Sequence, residues 1–184
     1  GLDIALKSIP GLVFPLHSRA SFYLLIEAGS GSIQVPLDSI LTQVMEWGID
    51  EGIVVSGSIA NSEAQRAAFW RLREEQPEGQ RRLGAQLKHD ISVPPGQIAE
   101  FLDNAHHKCN EILDGLTINP FGHLGDGNVH YNLSPPPGQQ DFSNFDGEIS
   151  LMLCKLAMSM KGSFAAEHGI GRARLHIADN LHSA

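Results

Sequence analysis

Phe121-Gly122-His123-Leu124-Gly125-Asp126-Gly127-Asn128-Val129-His130-Tyr131-Asn132 is the stretch on which the fold turns. Asp-Gly between two strand-like runs is a strong hairpin sequence, because both central positions of the tightest turn need positive φ. With Asp126 and Gly127 as that turn, Gly125 pairs with Asn128, Leu124 with Val129 and His123 with His130. The two imidazoles then stand directly opposite, with Cβ atoms about 4.5–5.5 Å apart. That spacing suits one metal ion held between two ring nitrogens at about 2.0–2.1 Å each. Alternation agrees: Val129, Tyr131 and Leu133 fall on a core face, and His130, Asn132 and Ser134 on the other. On the partner strand Leu116 and Ile118 point inward, which leaves Phe121 and His123 outward. Spacing alone favours the plainer reading, a surface hairpin carrying two ordinary histidines. Two donors also do not make a tight site.

A third donor is available in Glu167-His168-Gly169-Ile170-Gly171. Glu167 would complete a His2Glu set with an open coordination position, and His168 would stand beside the metal as a neutral base. The plainer alternative is a helix N-terminus capped by Glu-His.

Working outward, Gln86 to Val93 alternates as a half-buried strand, with Leu87, His89, Ile91 and Val93 on one side and Lys88, Asp90 and Ser92 on the other. Phe22 to Ile26 and Ile53 to Ala60 read as two more strands, and Ser163 to Glu167 as a last one. Helices are expected after Pro36, from Asn61 or Ser62 to about Glu75, from Pro94-Pro95 to about Asp114, and from Asp141 to Met160. Pro10 and Pro15 limit any helix in residues 1–20. The order is roughly βαβαβαββαβ, which argues for an α+β fold: a mostly antiparallel sheet with helices packed on one face.

The chain has 184 residues with 42% hydrophobic and 18% charged, enough for a buried core in one domain. Twenty-one acidic against 13 basic residues give a net charge of −8, and no Lys/Arg cluster tracks a phosphate backbone, so nucleic acid is an unfavoured partner. No apolar run approaches the ~20 residues of a membrane span. Two cysteines, Cys109 and Cys154, are too few for a disulfide scaffold and point to a reducing compartment, hence to the cytoplasm, or to the mitochondrial matrix in a eukaryote. Gly29-Ser30-Gly31 lacks the third glycine of a dinucleotide loop, and His106-His107 reads as a solvated helix face. The start at Gly1 and the stop at Ala184 read as those of a fragment.

Several of these stretches occur together in a known group. The chain resembles the C-terminal region of FAD-linked oxidases of the D-lactate dehydrogenase, glycolate oxidase and D-2-hydroxyglutarate dehydrogenase group. The resemblance is carried by Phe22 to Glu27, Trp70-Arg71-Leu72-Arg73-Glu74, Lys88-His89-Asp90-Ile91-Ser92-Val93-Pro94, Gly122 to His130 and Glu167-His168-Gly169-Ile170-Gly171, in the family's order. It implies a ferredoxin-like cap domain of the vanillyl-alcohol-oxidase type occupying residues 1–184. It implies a divalent metal, zinc or manganese, on His123, His130 and Glu167, and His168 as the base that removes the substrate hydroxyl proton. Arg73 and Lys88 match positions that hold the substrate carboxylate, and Asn132 matches a polar contact beside the metal. The implied reaction oxidises a small D-2-hydroxy acid of the lactate, glycolate or 2-hydroxyglutarate type to the 2-oxo acid, with hydride passing to FAD.

The family's FAD sits on an N-terminal domain of the same polypeptide, and neither that domain nor the family's C-terminal Asn-Pro-Gly-Lys-type end is among these residues. The chain alone is therefore expected neither to hold FAD firmly nor to turn over substrate. The electron acceptor is unknown, and a homodimer is left open. Without the resemblance, Arg73 reads as a helix-end charge and Lys88 as a solvated sheet lysine. The alternatives are a metal-dependent hydrolase using His2Glu and an activated water, which leaves Arg73 and Lys88 without a reason, and a non-catalytic relative of the fold.

Overall fold

The computed structural model describes residues 1–165, which divide into two compact units, Leu2–Gly79 and the part from Gln80 onward together with Gly1. The first unit is helical. It holds α1 (Leu2–Ser8), α2 (Leu37–Asp50) and α3 (Glu63–Glu74), and α4 (Gln76–Arg81) crosses its end. Ser62 caps α3 as its sequence predicts: the Ser62 side chain accepts the Gln65 N–H at 3.2 Å. Glu51 and Gly52, the latter at φ +68°, end α2. Residues 1–20 hold α1 ahead of Pro10. Pro77 and Gly79 lie within α4, Pro77 in its first turn, where a missing N–H costs nothing.

The two strands expected in this unit do not form. Phe22 and Leu24 are 71% and 65% exposed, and Ile53 and Val55 are 68% exposed. Aromatic and branched residues favour a pleated surface, but a strand also needs a neighbour for its N–H and C=O groups, and neither run has one among the described residues. Side chains anchor the first run instead. Glu27 accepts from Arg66 at 2.9 Å and from the Trp70 indole, and Tyr23 packs edge-on against Phe14.

The second unit carries the sheet. Its elements are β1 (Leu87–Ser92), a 3-10 turn at Pro95–Gln97, α5 (Ile98–Ile112), β2 (Thr117–His123), β3 (Asn128–Ser134) and α6 (Asp146–Ser159). The strands are antiparallel in the order β1-β3-β2, so β3 is central. Pro120 sits on the edge strand β2, where a residue without an N–H is tolerated. Ser163 makes a single antiparallel bridge to Ser92, and the rest of the strand expected at 163–167 lies outside the described residues beyond Ala165.

One sheet face is the core. Ile91, Val129, Tyr131 and Leu133 pack against Phe101, Ala105 and Cys109 of α5 and Ile149, Leu153 and Ala157 of α6. Burying each large side chain contributes about 1.5–3 kcal/mol. The expected α+β architecture, an antiparallel sheet with helices on one face, is what these residues build. His89, on the core side of β1, is 6% exposed yet satisfied: one ring nitrogen contacts Ser150 Oγ at 3.0 Å and the other the Tyr131 carbonyl at 3.2 Å, tying β1 to α6.

Cys109 and Cys154 are buried and form no disulfide, and Cys109 lies against Tyr131. Burial pushes the Cys109 thiol up to about 11 and the Tyr131 phenol above its usual range. Both groups stay protonated when folded, whereas an unfolded chain ionises its thiol near pH 9. The unfolded state therefore binds fewer protons above that pH, and stability falls as pH rises from about 9 towards 11. Urea midpoints measured between pH 7 and 10.5 should show this decline, with a shallower slope in Cys109→Ala; an unchanged slope would remove Cys109 as its source.

Candidate functional site

The second sheet face is polar, and cross-strand pairing arranges it in rows. Residues directly opposed in an antiparallel sheet share a face. One row is therefore Lys88, Asn132 and Asn119, the next Asp90, His130 and Phe121, and the third Ser92, Asn128 and His123. Although polar, this face is largely shielded from solvent: Asp90 and Asn128 are each 4% exposed, Asn132 5% and Asn119 2%.

The hairpin register differs from the one expected. His123 pairs with Asn128, and His130 pairs with Phe121. The link is a four-residue loop, Leu124-Gly125-Asp126-Gly127. A two-residue turn would need positive φ at Asp126 as well, and only Gly127 adopts it, at +76°. Asp126 instead uses its side chain, accepting the Asn128 N–H at 3.0 Å. Because the register slides by two residues rather than one, the histidines stay on the same face. They are diagonal neighbours, with ring centroids 6.3 Å apart.

Both imidazoles turn Nδ1 towards a carboxylate. His130 Nδ1 lies 3.4 Å from Asp90 Oδ1, and His123 Nδ1 lies 3.8 Å from Asp126 Oδ2. Such contacts leave Nε2 as the nitrogen that faces a ligand. One zinc held by two ring nitrogens sets their ring centres roughly 5–6 Å apart, close to the separation seen. Beside His123, the Asn128 carboxamide has neither of its ends hydrogen-bonded among the described residues. A buried amide left in that state costs about 1–3 kcal/mol per group, so the site has polar capacity that the described residues do not use. The histidine pair, its carboxylates and this amide fit a divalent cation with an oxygen-bearing ligand. No cluster of three metal-ligating side chains occurs among the described residues, and Glu167 and His168 lie outside them.

The remaining expected residues are distributed as follows. Lys88 is exposed on the polar side of β1, opposite Asn132. Asn132 is buried, and its amide donates to Gln80 Oε1 at 2.8 Å. Arg73 belongs to the other unit, in the last turn of α3, where it is half-buried and where desolvation lowers its pKa. Sequence reading overlooked Asp90 and Asn128 as members of the site. The alternation of β1 had placed Asp90 on the polar side, and only the pairing of β1 with β3 shows which residue it faces.

The sequence pattern of the family described as FAD linked oxidases, C-terminal domain, matches residues 3–181. The chain belongs to that family. D-2-hydroxyglutarate dehydrogenase, mitochondrial, of Arabidopsis thaliana is 30% identical over 170 residues, covering 92% of this chain and 29% of that protein. D-2-hydroxyglutarate dehydrogenase of Xanthomonas citri pv. viticola is 31% identical over 163 residues, covering 88% and 34%. The mitochondrial D-2-hydroxyglutarate dehydrogenase of Danio rerio is 32% identical over 156 residues, covering 84% and 28%. The chain spans about a third of the length of these curated relatives. In this member of the FAD-linked oxidase C-terminal family, the Gly122-to-His130 and Lys88-to-Pro94 stretches that carry the resemblance are the strands that form the polar face.

Gly127 fixes the hairpin to the rest of the sheet. Its carbonyl accepts the Val93 N–H at 3.0 Å, and a Cβ there would lie 2.0 Å from the Val93 carbonyl oxygen. Gly127→Ala should therefore cost at least about 2 kcal/mol, from positive φ and the backbone collision together, measured as a drop in urea midpoint. A change of less than about 0.5 kcal/mol would show that the loop relaxes without cost.

Proposed function

We propose that the chain is the substrate- and metal-binding part of an FAD-dependent dehydrogenase that oxidises a D-2-hydroxy acid to the 2-oxo acid. The observation that carries this reading is the placement of His123 and His130 on one polar sheet face, each with Nδ1 turned to a carboxylate, in a chain of this family. The names of its relatives favour D-2-hydroxyglutarate within the substrate class.

In this reading His123, His130 and Glu167 hold zinc or manganese. FAD is held mainly by an N-terminal domain of the same polypeptide; the Gly29-Ser30-Gly31 loop lacks the third glycine of a dinucleotide loop. When bound, the metal supplies Lewis acidity towards a hydroxyl oxygen and the flavin a two-electron acceptor. The chain's own residues do the rest. Arg73 grips a carboxylate in bidentate fashion and keeps its charge at neutral pH despite its partial burial. Lys88 adds a compact positive charge, and Asn132, next to His130 along β3, sets the polar edge of the site. His168 accepts the hydroxyl proton, and the substrate Cα hydrogen departs with its electron pair. Holding carboxylate and hydroxyl at once fixes which hydrogen can leave, so stereospecificity follows from geometry.

Among the described residues no helix is long and apolar enough to cross a membrane. The location proposed is the matrix if the source is eukaryotic and the cytoplasm otherwise, a reading supported by the mitochondrial names of two relatives.

The test is anaerobic mixing of the full-length flavoprotein with D-2-hydroxyglutarate, D-lactate and glycolate, followed by flavin absorbance. Bleaching by a D-2-hydroxy acid is expected, and failure of all such acids to bleach the flavin would overturn the reading. His168→Ala should abolish bleaching with the metal retained, and Arg73→Met should raise KM far more than it lowers kcat.

A further inference from the structure

We propose that Asp90 is the positioning residue for His130: its buried carboxylate holds the imidazole as the Nδ1–H tautomer and turns Nε2 outward as the ligand nitrogen. This rests on the metal role given to His130 above, but the geometry behind it belongs to the sheet alone.

Asp90 and His130 are directly opposed across β1 and β3, and Phe121 opposes His130 from β2. The imidazole therefore stands on the central strand between a carboxylate and an aromatic ring. The Phe121 ring lies 5.1 Å away, centroid to centroid, at a 42° tilt. Neither neighbour is on a loop, so the row is as rigid as the sheet. The Asp90 side chain is 6% exposed and that of His130 21%. An ionised carboxylate only accepts hydrogen bonds, whatever else it touches. The nitrogen that faces it must therefore carry the proton. A neutral imidazole has one N–H, so with Nδ1 protonated the lone pair sits on Nε2, where a cation can use it.

At 3.4 Å the Asp90–His130 approach is longer and less well aligned than a finished hydrogen bond. Contacts of this kind commonly tighten only when the site is loaded. His123 is held differently. Its partner Asp126 is 3.8 Å away, and the two side chains are 55% and 62% exposed on the hairpin loop and its margin. The two histidines thus face unequal carboxylates: that of Asp90 is buried, whereas that of Asp126 is exposed.

Two measurements on the full-length protein separate this claim from the metal reading. The first is the tautomer of His130 from imidazole nitrogen chemical shifts, which needs no metal. The proton should sit on Nδ1 in the wild type, lose that preference in Asp90→Asn, and return to it in Asp90→Glu. The second is zinc affinity by competition with a chromophoric chelator. Asp90→Asn should weaken zinc binding by roughly 10- to 100-fold, whereas Asp126→Asn, at an exposed pair, should change it by less than about threefold. A wild-type His130 protonated on Nε2, or unaltered zinc affinity in Asp90→Asn, would overturn the assignment. If the wild type binds no zinc, the metal reading fails while the tautomer still decides the role of Asp90. If Asp90→Asn does not fold, the wild-type and Asp90→Glu tautomers decide it.

Discussion

The position of β3 between two antiparallel neighbours governs what the Gln80-to-Ala165 part can do. Its odd-numbered residues Val129, Tyr131 and Leu133 are driven into the core by the area they remove from water, and α5 and α6 cover them. Alternation then obliges Asn128, His130 and Asn132 to face the other way. Four polar side chains on that side, Asp90, Asn119, Asn128 and Asn132, are kept from solvent as well, so each must find a partner or remain as unused capacity. Asn132 finds Gln80, and His130 lies against Asp90. The Asn128 amide finds none among the described residues, and it stands beside His123. A sheet with one dry face and one shielded polar face is a scaffold on which ligand donors can be held at fixed spacing by the backbone ladder.

The same ladder explains why the two histidines converge although they are not directly opposed. Side chains two residues apart on one strand share a face, so a register displaced by two moves His123 along that face without turning it away. A displacement by one would have sent one imidazole into the core. What prevents that slip is local chemistry at the loop: Asp126 accepting from Asn128, and the Gly127 carbonyl taking the N–H of Val93 just beyond β1. Backbone hydrogen bonding and a single positive-φ glycine thus set the positions on which the chemistry of the family is proposed to rest.

Much of this was legible in the residues. Alternation in Gln86–Val93 and Asn128–Ser134 gave the faces of β1 and β3, Ser62 gave the start of α3, and the apolar periodicity gave α5 and α6. Two things were not legible. The Phe22–Ile26 and Ile53–Ala60 runs have strand composition, but composition does not supply a pairing partner, and both lie exposed. The Asp-Gly dipeptide marks a hairpin correctly, yet the form of its turn also depends on the contact of Gly127 with Val93, just beyond β1. Asp90 was hidden for a related reason: its importance lies in which residue it faces across strands, and that is a property of pairing rather than of its own neighbours.

The central claim is that His123 and His130, one from each arm of the hairpin, ligate a single divalent cation with a carboxylate as third donor. The most direct test is X-ray absorption at the zinc edge on the zinc-loaded full-length protein, compared with its His123→Ala and His130→Ala forms. One zinc is expected with two imidazole nitrogens at about 2.0–2.1 Å and a carboxylate oxygen, losing one imidazole or the metal itself in each variant. A zinc whose scattering shell is unchanged by both substitutions would contradict it.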